Sequence, residues 1–176
     1  MSFNELIPNS EIIQTLEHNW NYYVNDKYLL MSVIETGREE IIMYLLKHPD
    51  INVNQMSDYS ETALHKVCRS KNIPILKLLL GREDLDVNIR PIFDRTGLHY
   101  LCLYGSEAGV KEFLLDARID TSIRDYEGLT SRDIALDWRY PSLAKIINNS
   151  RHTSLLRIPN ETLPHDITQM IIEEYL

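Results

Sequence analysis

A phrase of about twenty residues recurs in this chain at a fixed offset of 34 residues, and this period restricts the fold more than any other feature. The stretches "ETALHKVCRSKNIPILKLLL" and "RTGLHYLCLYGSEAGVKEFLL" align Thr62 with Thr96 and Cys68 with Cys102. A constant period of this length is typical of proteins built from one repeated supersecondary unit. The sequence therefore predicts an array of similar units rather than a single closed core.

Two further units follow from the same step. Counting forward from Thr96 reaches Thr130 in "EGLTSRDIA", and counting back from Thr62 reaches Tyr28 in "KYLLMSVIETGREEIIMYLL". The connecting phrases "PDINVN", "EDLDVN" and "IDTSIRD" also recur in step with the units. We therefore expect about four units, each followed by a loop.

Each unit contains two apolar runs with helical spacing. Leu64, Val67 and Cys68 form the first run of one unit, and the second run lies in residues 75–80. Gly37 and Gly105 separate the runs in two other units, where a residue that accepts positive φ ends the first helix. Neither short helix buries its apolar side alone, so the units must stack into an all-α solenoid.

Composition narrows the class of partner and the compartment. The 176 residues carry a formal net charge of −8, which leaves no broad basic surface for nucleic acid or anionic membranes. The chain has no run of ~20 apolar residues and no start typical of a secretory signal. Its two cysteines fit a reducing compartment. We expect a cytoplasmic chain that is a monomer on its own.

The repeated phrase identifies a family. The pattern T-P-L-H-x-A of the ankyrin repeat appears here as "TALHKV", "TGLHYL" and "TSRDIA", followed by a second helix and a D-V-N type loop. The chain thus resembles the ankyrin-repeat proteins over roughly residues 28–147. Gly128 alone holds the loop glycine of the family, because Ser60 and Asp94 replace it in the preceding units.

The resemblance implies three segments. Residues 1–27 are interpreted as an N-terminal half repeat that caps the stack, with Ser10 as its helix cap and Ile12 and Leu16 on its apolar side. Residues 28–150 are the ankyrin repeats. Residues 151–176 are a connector followed by one last helix.

Two histidine and cysteine pairs resemble metal ligands. His65 precedes Cys68, and His99 precedes Cys102, by one helical turn, which is a spacing that suits zinc. The family resemblance implies instead that the histidine ties a loop to the helix and that the cysteine replaces a small core residue. We therefore expect no metal and no cofactor. The sequence also lacks a phosphate loop, an H-E-x-x-H motif and a nucleophile elbow, so we expect no enzyme.

The resemblance to ankyrin-repeat proteins implies binding to other proteins through the loop tips and the exposed side of each first helix. This chain has aromatic and apolar residues at those positions, and such residues are favoured as binding anchors. The alternative is that several of them pack within their own loops. The predicted target-binding residues are Tyr59, Phe93, Tyr100, Leu103, Tyr104, Tyr126 and Trp138.

The closing stretch "TLPHDITQMIIEEYL" predicts one more helix. Thr162 and Asp166 bracket its start, and Pro164 lies in the first turn, where the missing N–H costs nothing. Its apolar residues spread over an arc of roughly 200°, although a helix that covers one surface needs about 100°. The excess indicates a second surface.

The pattern L-P-x-D-I-x-x-x-I-I-x-x-Y-L resembles the first helix of an F-box. Ankyrin arrays that end in such a segment, sometimes called PRANC, occur in poxviruses and in Rickettsiales-type intracellular bacteria. There the segment docks on the Skp adaptor of a cullin-RING (SCF) ubiquitin ligase. A full F-box has about three helices, whereas this chain ends after the first. The residues that match the pattern, and would bind the adaptor, are Leu163, Pro164, Ile167, Ile171, Ile172 and Leu176.

The resemblance implies an effector that brings a host protein to the ligase for ubiquitination, in the cytoplasm or nucleus of the host cell. An alternative stays open from the residues alone. The chain would then be a stoichiometric binder, similar to the ankyrin inhibitors of NF-κB signalling, and its last helix would only cap the solenoid.

Overall fold

The computed structural model describes residues 7–20 and 28–156, and their side chains as far as residue 150. Within these residues the chain forms helices and loops, with a short 3-10 turn at Ile92–Asp94 and one isolated bridge between Arg124 and Thr130. The α-helices are α1 (Asn9–His18), α2 (Leu29–Thr36), α3 (Glu39–Leu46), α4 (Ala63–Ser70), α5 (Ile73–Leu80), α6 (Gly97–Leu103), α7 (Glu107–Phe113), α8 (Ser131–Asp137) and α9 (Pro141–Leu156).

The helix starts follow the period of the sequence. The first helix of each unit begins at Leu29, Ala63, Gly97 or Ser131, and the second begins at Glu39, Ile73, Glu107 or Pro141. Both series advance by 34 residues. The predicted all-α solenoid of four two-helix units is confirmed, and we number the units 1 to 4 from α2–α3 to α8–α9.

The helices stack in two rows. Helices α2, α4, α6 and α8 form a first-helix row, in which each contacts the next, and α1, α3, α5, α7 and α9 form a second-helix row. Helix α1 packs on α3 and buries Ile12 and Leu16. A lone helix in the second-helix row is what a half repeat would contribute. Its first residue is not the predicted cap, however, because α1 begins at Asn9, before Ser10.

The core runs the length of the array as layers of equivalent residues. The central position of the first helices is fully buried in every unit, as is one position of the second helices. These residues are Val33, Val67, Leu101 and Ala135, and Leu45, Leu79, Phe113 and Ile147. Since each layer is covered by its neighbours, burial depends on stacking between units rather than on any single unit.

Left-handed residues end the first helices, as the two glycines predicted. Gly37 and Gly105 have φ of 67° and 68°, and the equivalent Lys71 and Arg139 have φ of 58° and 60°. This conformation turns the chain back into the second helix. Lys71 and Arg139 adopt it without glycine, at a cost that the packing of the two helices must offset.

Arginines join the second helices of successive units. Arg82 donates to the carbonyl oxygens of Leu46 and His48 in unit 1, at 2.8 and 2.9 Å. Arg118 donates in the same way to the carbonyls of Leu80 and other residues of unit 2. Carbonyl groups at the ends of α3 and α5, which have no partner within their own helix, are thereby bonded by the following unit.

Helix α9 is longer than the other second helices. It continues through Leu156, so the residues from 151 to 156, predicted as the start of a connector, are helical instead. No proline or glycine lies between Ser142 and Ile158, and Pro159 is the first helix breaker. In the described part of the chain, no helix is both long enough and apolar enough to cross a membrane.

Candidate functional site

The exposed residues of the first-helix row change from polar to aromatic along the array. Units 1 and 2 present charged and small polar residues at two equivalent positions, whereas unit 3 presents a leucine and a tyrosine and unit 4 an aspartate and a tryptophan. The pairs are Glu35 and Thr36, Arg69 and Ser70, Leu103 and Tyr104, and Asp137 and Trp138. The aromatic part of this surface is therefore confined to units 3 and 4.

Charged residues in units 1 and 2 pair with one another. The ammonium of Lys66 hydrogen-bonds the Glu35 carboxylate of the preceding unit. The Arg69 guanidinium contacts the Glu61 carboxylate at 2.5 Å. Exposed pairs of this kind add little stability, typically below about 1 kcal/mol. The charged side chains of these pairs are nevertheless already partnered within the chain.

Most of the predicted target-binding aromatics are exposed. Tyr59 at a loop tip is 83% exposed and Trp138 at the end of α8 is 57% exposed. Phe93, Tyr104 and Tyr126 are also among the exposed large apolar residues. Exposure makes these five residues available to a partner, and their role in binding stays a prediction.

Tyr100 does not lie on the exposed face, so that expectation is wrong. It is only 7% exposed, with its ring edge-on to His65 at 5.4 Å and stacked on Tyr104 at 6.5 Å. The stacking of α4 on α6 covers it, because its helix position faces the preceding unit. Leu103 is half-buried against the core. Tyr100 thus supports Tyr104 from behind.

The loop tips of units 3 and 4 form one cluster. The rings of Phe93 and Tyr126 lie 5.3 Å apart, and the Tyr126 N–H donates to the Phe93 carbonyl at 3.0 Å. Phe93 and Asp94 are both left-handed, with φ of 60° and 54°. A bulky residue in this region is strained. The packing between neighbouring loops therefore holds Phe93 in a conformation that it would not adopt alone.

Arg95 lies against both rings of this cluster. Its guanidinium carbon is 5.9 Å from the centre of the Phe93 ring and 5.6 Å from that of Tyr126. The Arg95 Nε donates to Asp125 at 3.0 Å. Burial by itself would raise the pKa of Asp125, but backbone N–H groups and Arg95 outweigh it and keep that pKa below its ordinary value. The charged groups of the cluster are thus paired with one another, because Arg95 also contacts the Glu127 carboxylate at 3.1 Å.

The histidines tie successive units together. The Nε2 of His65 bonds the Arg95 carbonyl at 3.1 Å, and the Nε2 of His99 bonds the Leu129 carbonyl at 3.2 Å. The Nδ1 of His99 accepts from the Thr96 N–H at 3.1 Å. Because a carbonyl only accepts, both rings donate through Nε2. Burial lowers the pKa of both imidazoles, so they are neutral at pH 7. The role that the family resemblance implied for these residues is the one that the geometry shows.

The cysteines are inert in the packed core. Burial raises the pKa of the Cys102 thiol to about 12 and raises that of Cys68 as well, so neither is a thiolate at neutral pH. Both imidazoles are engaged with the backbone of the next unit. Among the described residues, no group of three or more histidine, cysteine, aspartate or glutamate side chains is placed to hold a metal ion.

The last layer of the array differs from the inner ones. Leu136 is 43% exposed, whereas Cys68 and Cys102 at the equivalent positions are fully buried by the following unit. Arg132 stands where units 2 and 3 have leucine, and its Nε is buried with no hydrogen-bond partner in the described part of the chain. Within the described residues, the end of unit 4 is thus partly open.

The predicted adaptor-binding residues, from Leu163 to Leu176, lie outside the described residues.

Comparison with known families agrees with this architecture. A family model described as "Ankyrin repeats (3 copies)" matches residues 3–91, which is half of the chain. The protein belongs to the ankyrin-repeat family. Its repeats imply a protein-binding role, and nothing in the described residues points to catalysis. A search of curated proteins found no significant match.

Sequence reasoning overlooked Asp137. Its side chain is exposed at the end of α8, beside Trp138. The 34-residue period could have identified it, because Asp137 occupies the position equivalent to Leu103, one of the predicted binding residues.

Proposed function

We propose that this chain is an adaptor with two binding surfaces. Its repeats recruit a target, which is a host protein if the chain is an effector, and its closing helix recruits the Skp adaptor of a cullin-RING (SCF) ubiquitin ligase. The target would then be ubiquitinated by the ligase, and the chain itself would perform no chemistry.

The observation that carries the ligase part is the pattern of the closing segment. Leu163, Pro164 and Ile167 match the start of an F-box helix, and Ile171 continues its apolar side. The segment follows α9, after the last 34-residue unit, so the repeat period does not account for it. An apolar arc of roughly 200° exceeds what one packing surface requires. These features support a second partner besides the array.

The open end of unit 4 favours a second candidate. Leu136 and the unpaired Nε of Arg132 would gain from a covering element. If the closing helix covers them, the chain is a stoichiometric binder that inhibits a signalling protein, and its last helix is a cap. The two candidates differ in whether the apolar residues of that helix stabilise the array.

Binding of purified Skp adaptor to the full chain tests the proposal. We expect a complex that is detectable at micromolar concentration and is lost when residues 163–176 are removed. The double variant Ile167→Ala and Ile171→Ala should abolish it, since burying each isoleucine is worth roughly 1.5–3 kcal/mol. The matched control is Leu115→Ala, which truncates another apolar side chain, 75% exposed on the array.

Thermal melting of the same double variant separates the two candidates. The adaptor function predicts a small change in Tm together with lost binding. A large loss of stability, with no adaptor binding by the unaltered chain, would contradict the ligase proposal and support the capping helix.

A further inference from the structure

The exposed side of the first helices of units 3 and 4, with Leu103, Tyr104 and Trp138, has the composition of a binding site for a peptide segment of a partner protein. Tyr104 and Trp138 occupy equivalent positions at the ends of α6 and α8, which contact each other in the first-helix row. Packed helices lie about 8–10 Å apart, so both aromatic side chains are within reach of a few residues of one partner chain. Leu103, half-buried beside Tyr104, adds an apolar floor.

Asp137 places a negative charge next to this aromatic pair. Its carboxylate is exposed and forms no ion pair or hydrogen bond with any other described residue. The equivalent charged residues of units 1 and 2, Glu35 and Arg69, are both paired within the chain. Arg139 lies in the turn between α8 and α9 and forms no ion pair with Asp137. Among the acidic residues described in this row, therefore, the one without a partner is Asp137, beside Trp138.

Contacts between the loops hold the loop side of the same two units in place. Phe93 is held left-handed and exposed by its contact with Tyr126 and by the hydrogen bond between their loops. Strained residues that the surrounding structure maintains cluster at binding sites. A rigid aromatic rim lowers the ordering cost of binding, because its side chains are already in place.

We infer that units 3 and 4 bind a segment of the target protein that carries a lysine or arginine flanked by apolar side chains. The cation lies against the Trp138 ring and the Asp137 carboxylate, and the apolar side chains lie on Leu103 and Tyr104. This inference rests on the target-binding half of the proposed function and is independent of the ligase half.

Two physical arguments favour a basic, partly apolar segment over an acidic one. An indole face attracts a cation within about 6 Å of its centre, and the adjacent carboxylate adds a direct ion pair. The net charge of −8 favours encounter with a basic partner and disfavours an acidic one. An acidic segment would be repelled by the Asp137 carboxylate, which forms no ion pair with any described residue.

Selection of a phage-displayed random peptide library against the full chain tests the inference. We expect the enriched peptides to share one lysine or arginine next to leucine, isoleucine, valine or an aromatic residue. The best peptide, made synthetically, serves as the probe for all variants. Its version with the basic residue replaced by methionine serves as the uncharged probe.

The variants then assign the contacts. Asp137→Asn should weaken binding of the basic peptide about tenfold and leave binding of the methionine peptide within twofold. Trp138→Ala should weaken both peptides at least tenfold. Leu115→Ala, an exposed apolar truncation in the turn after α7, and Glu35→Gln in unit 1 should change neither. Asp137 is exposed, so its variant keeps the fold, which circular dichroism verifies.

Three outcomes would overturn the inference. These are failure to enrich any peptide, enriched peptides without a basic residue, and binding that Asp137→Asn and Trp138→Ala leave unchanged. If peptides bind but respond only to changes in units 1 and 2, target binding by the repeats stands and only this site is rejected. Adaptor binding, measured separately, is unaffected by any of these results.

Discussion

Three loop residues share a left-handed backbone although only one of them is glycine. Ser60, Asp94 and Gly128 have φ of 53°, 54° and 79° and lie one period apart. The family glycine at this position reflects the steric cost of a Cβ in this region, about 1–2 kcal/mol. Serine and aspartate therefore carry strain here that glycine avoids.

Replacing Ser60 with glycine should stabilise the protein. Relief of the strained backbone outweighs the extra freedom that glycine gains on unfolding, so we expect about 0.5–1 kcal/mol in urea denaturation. Ser70→Gly is the matched control, because Ser70 lies in the helical last turn of α4 and should lose stability. Destabilisation by Ser60→Gly would contradict the assigned backbone strain.

The buried histidines make stability depend on pH. Burial lowers the pKa of His65 to about 4 and also lowers that of His99. In the unfolded chain each titrates near its ordinary value of about 6.5. The unfolded state thus binds more protons below pH 6.5, so stability is complete above that pH and falls as the pH decreases towards 4.

We expect the free energy of unfolding to fall by about 2 kcal/mol between pH 7 and pH 5 because of His65. His99 adds to the loss. His65→Gln, which cannot be protonated, should show a shallower slope over this range, whatever its stability at pH 7. Urea denaturation at several pH values measures both. Parallel slopes for the two proteins would show that His65 is not buried in its neutral form.

Chelation should leave the melting temperature unchanged. His65 and His99 already bond backbone carbonyls, and Cys68 and Cys102 are protonated in the core. A structural metal would add folding energy that a chelator removes. A clear fall in Tm, with stoichiometric zinc in the purified protein, would establish the metal site instead.

At the scale of elements, one glycine sets the distance between α6 and α7. A Cβ built on Gly109 would lie 2.5 Å from Leu101 Cδ2 and 2.7 Å from Ser106 Oγ. Leu101 is fully buried, and the Ser106 hydroxyl caps α7 through the Gly109 N–H. The close approach of the two helices therefore depends on the missing side chain.

Gly109→Ala should destabilise the protein by about 1–3 kcal/mol, because it overpacks the contact between these helices. Helix propensity predicts the opposite, a gain of roughly 1 kcal/mol for alanine inside a helix. The comparison variant is Gly81→Ala, where φ is −68° and the nearest atom to the new Cβ is 3.4 Å away. It should be neutral or slightly stabilising. A stabilised Gly109→Ala would mean that the helices have room to separate.

At the scale of the whole molecule, each unit contacts its neighbours and little else. Stability in such arrays approximates a sum of unit and interface terms, so damage is felt locally first. Among the described residues, Phe113 is the largest fully buried side chain, and it lies in α7 of unit 3. It is the natural place to test how far the units cooperate.

Phe113→Ala should cost about 3–5 kcal/mol. Native-state hydrogen exchange should show the greatest loss of protection in α6 to α8, with α2 and α3 least affected. Truncating Leu45, the equivalent buried residue of unit 1, should give the opposite gradient. Equal loss of protection in all units, for both variants, would show that the array unfolds as one cooperative block.

The period, the helix pairs and their ends could be predicted from the sequence because they depend on local signals. Apolar spacing and the left-handed position after the first helix act within one unit and recur in all four. The threonine and histidine phrase recurs in units 2 and 3. Even there, the turn-forming residues after Ile147 misled the prediction, since α9 runs on to Leu156 where a connector was expected.

Only the tertiary structure decided which side chains are available. Tyr100 and Tyr104 lie on one helix, yet the preceding unit covers the first and leaves the second exposed. Phe93 and Tyr126 meet although 33 positions separate them, and Asp137 is unpaired because nothing in the described chain reaches it. Exposure and pairing depend on how one unit stacks on the next. The sequence by itself determined the repeated unit, and the contacts between units determined the surface that a partner meets.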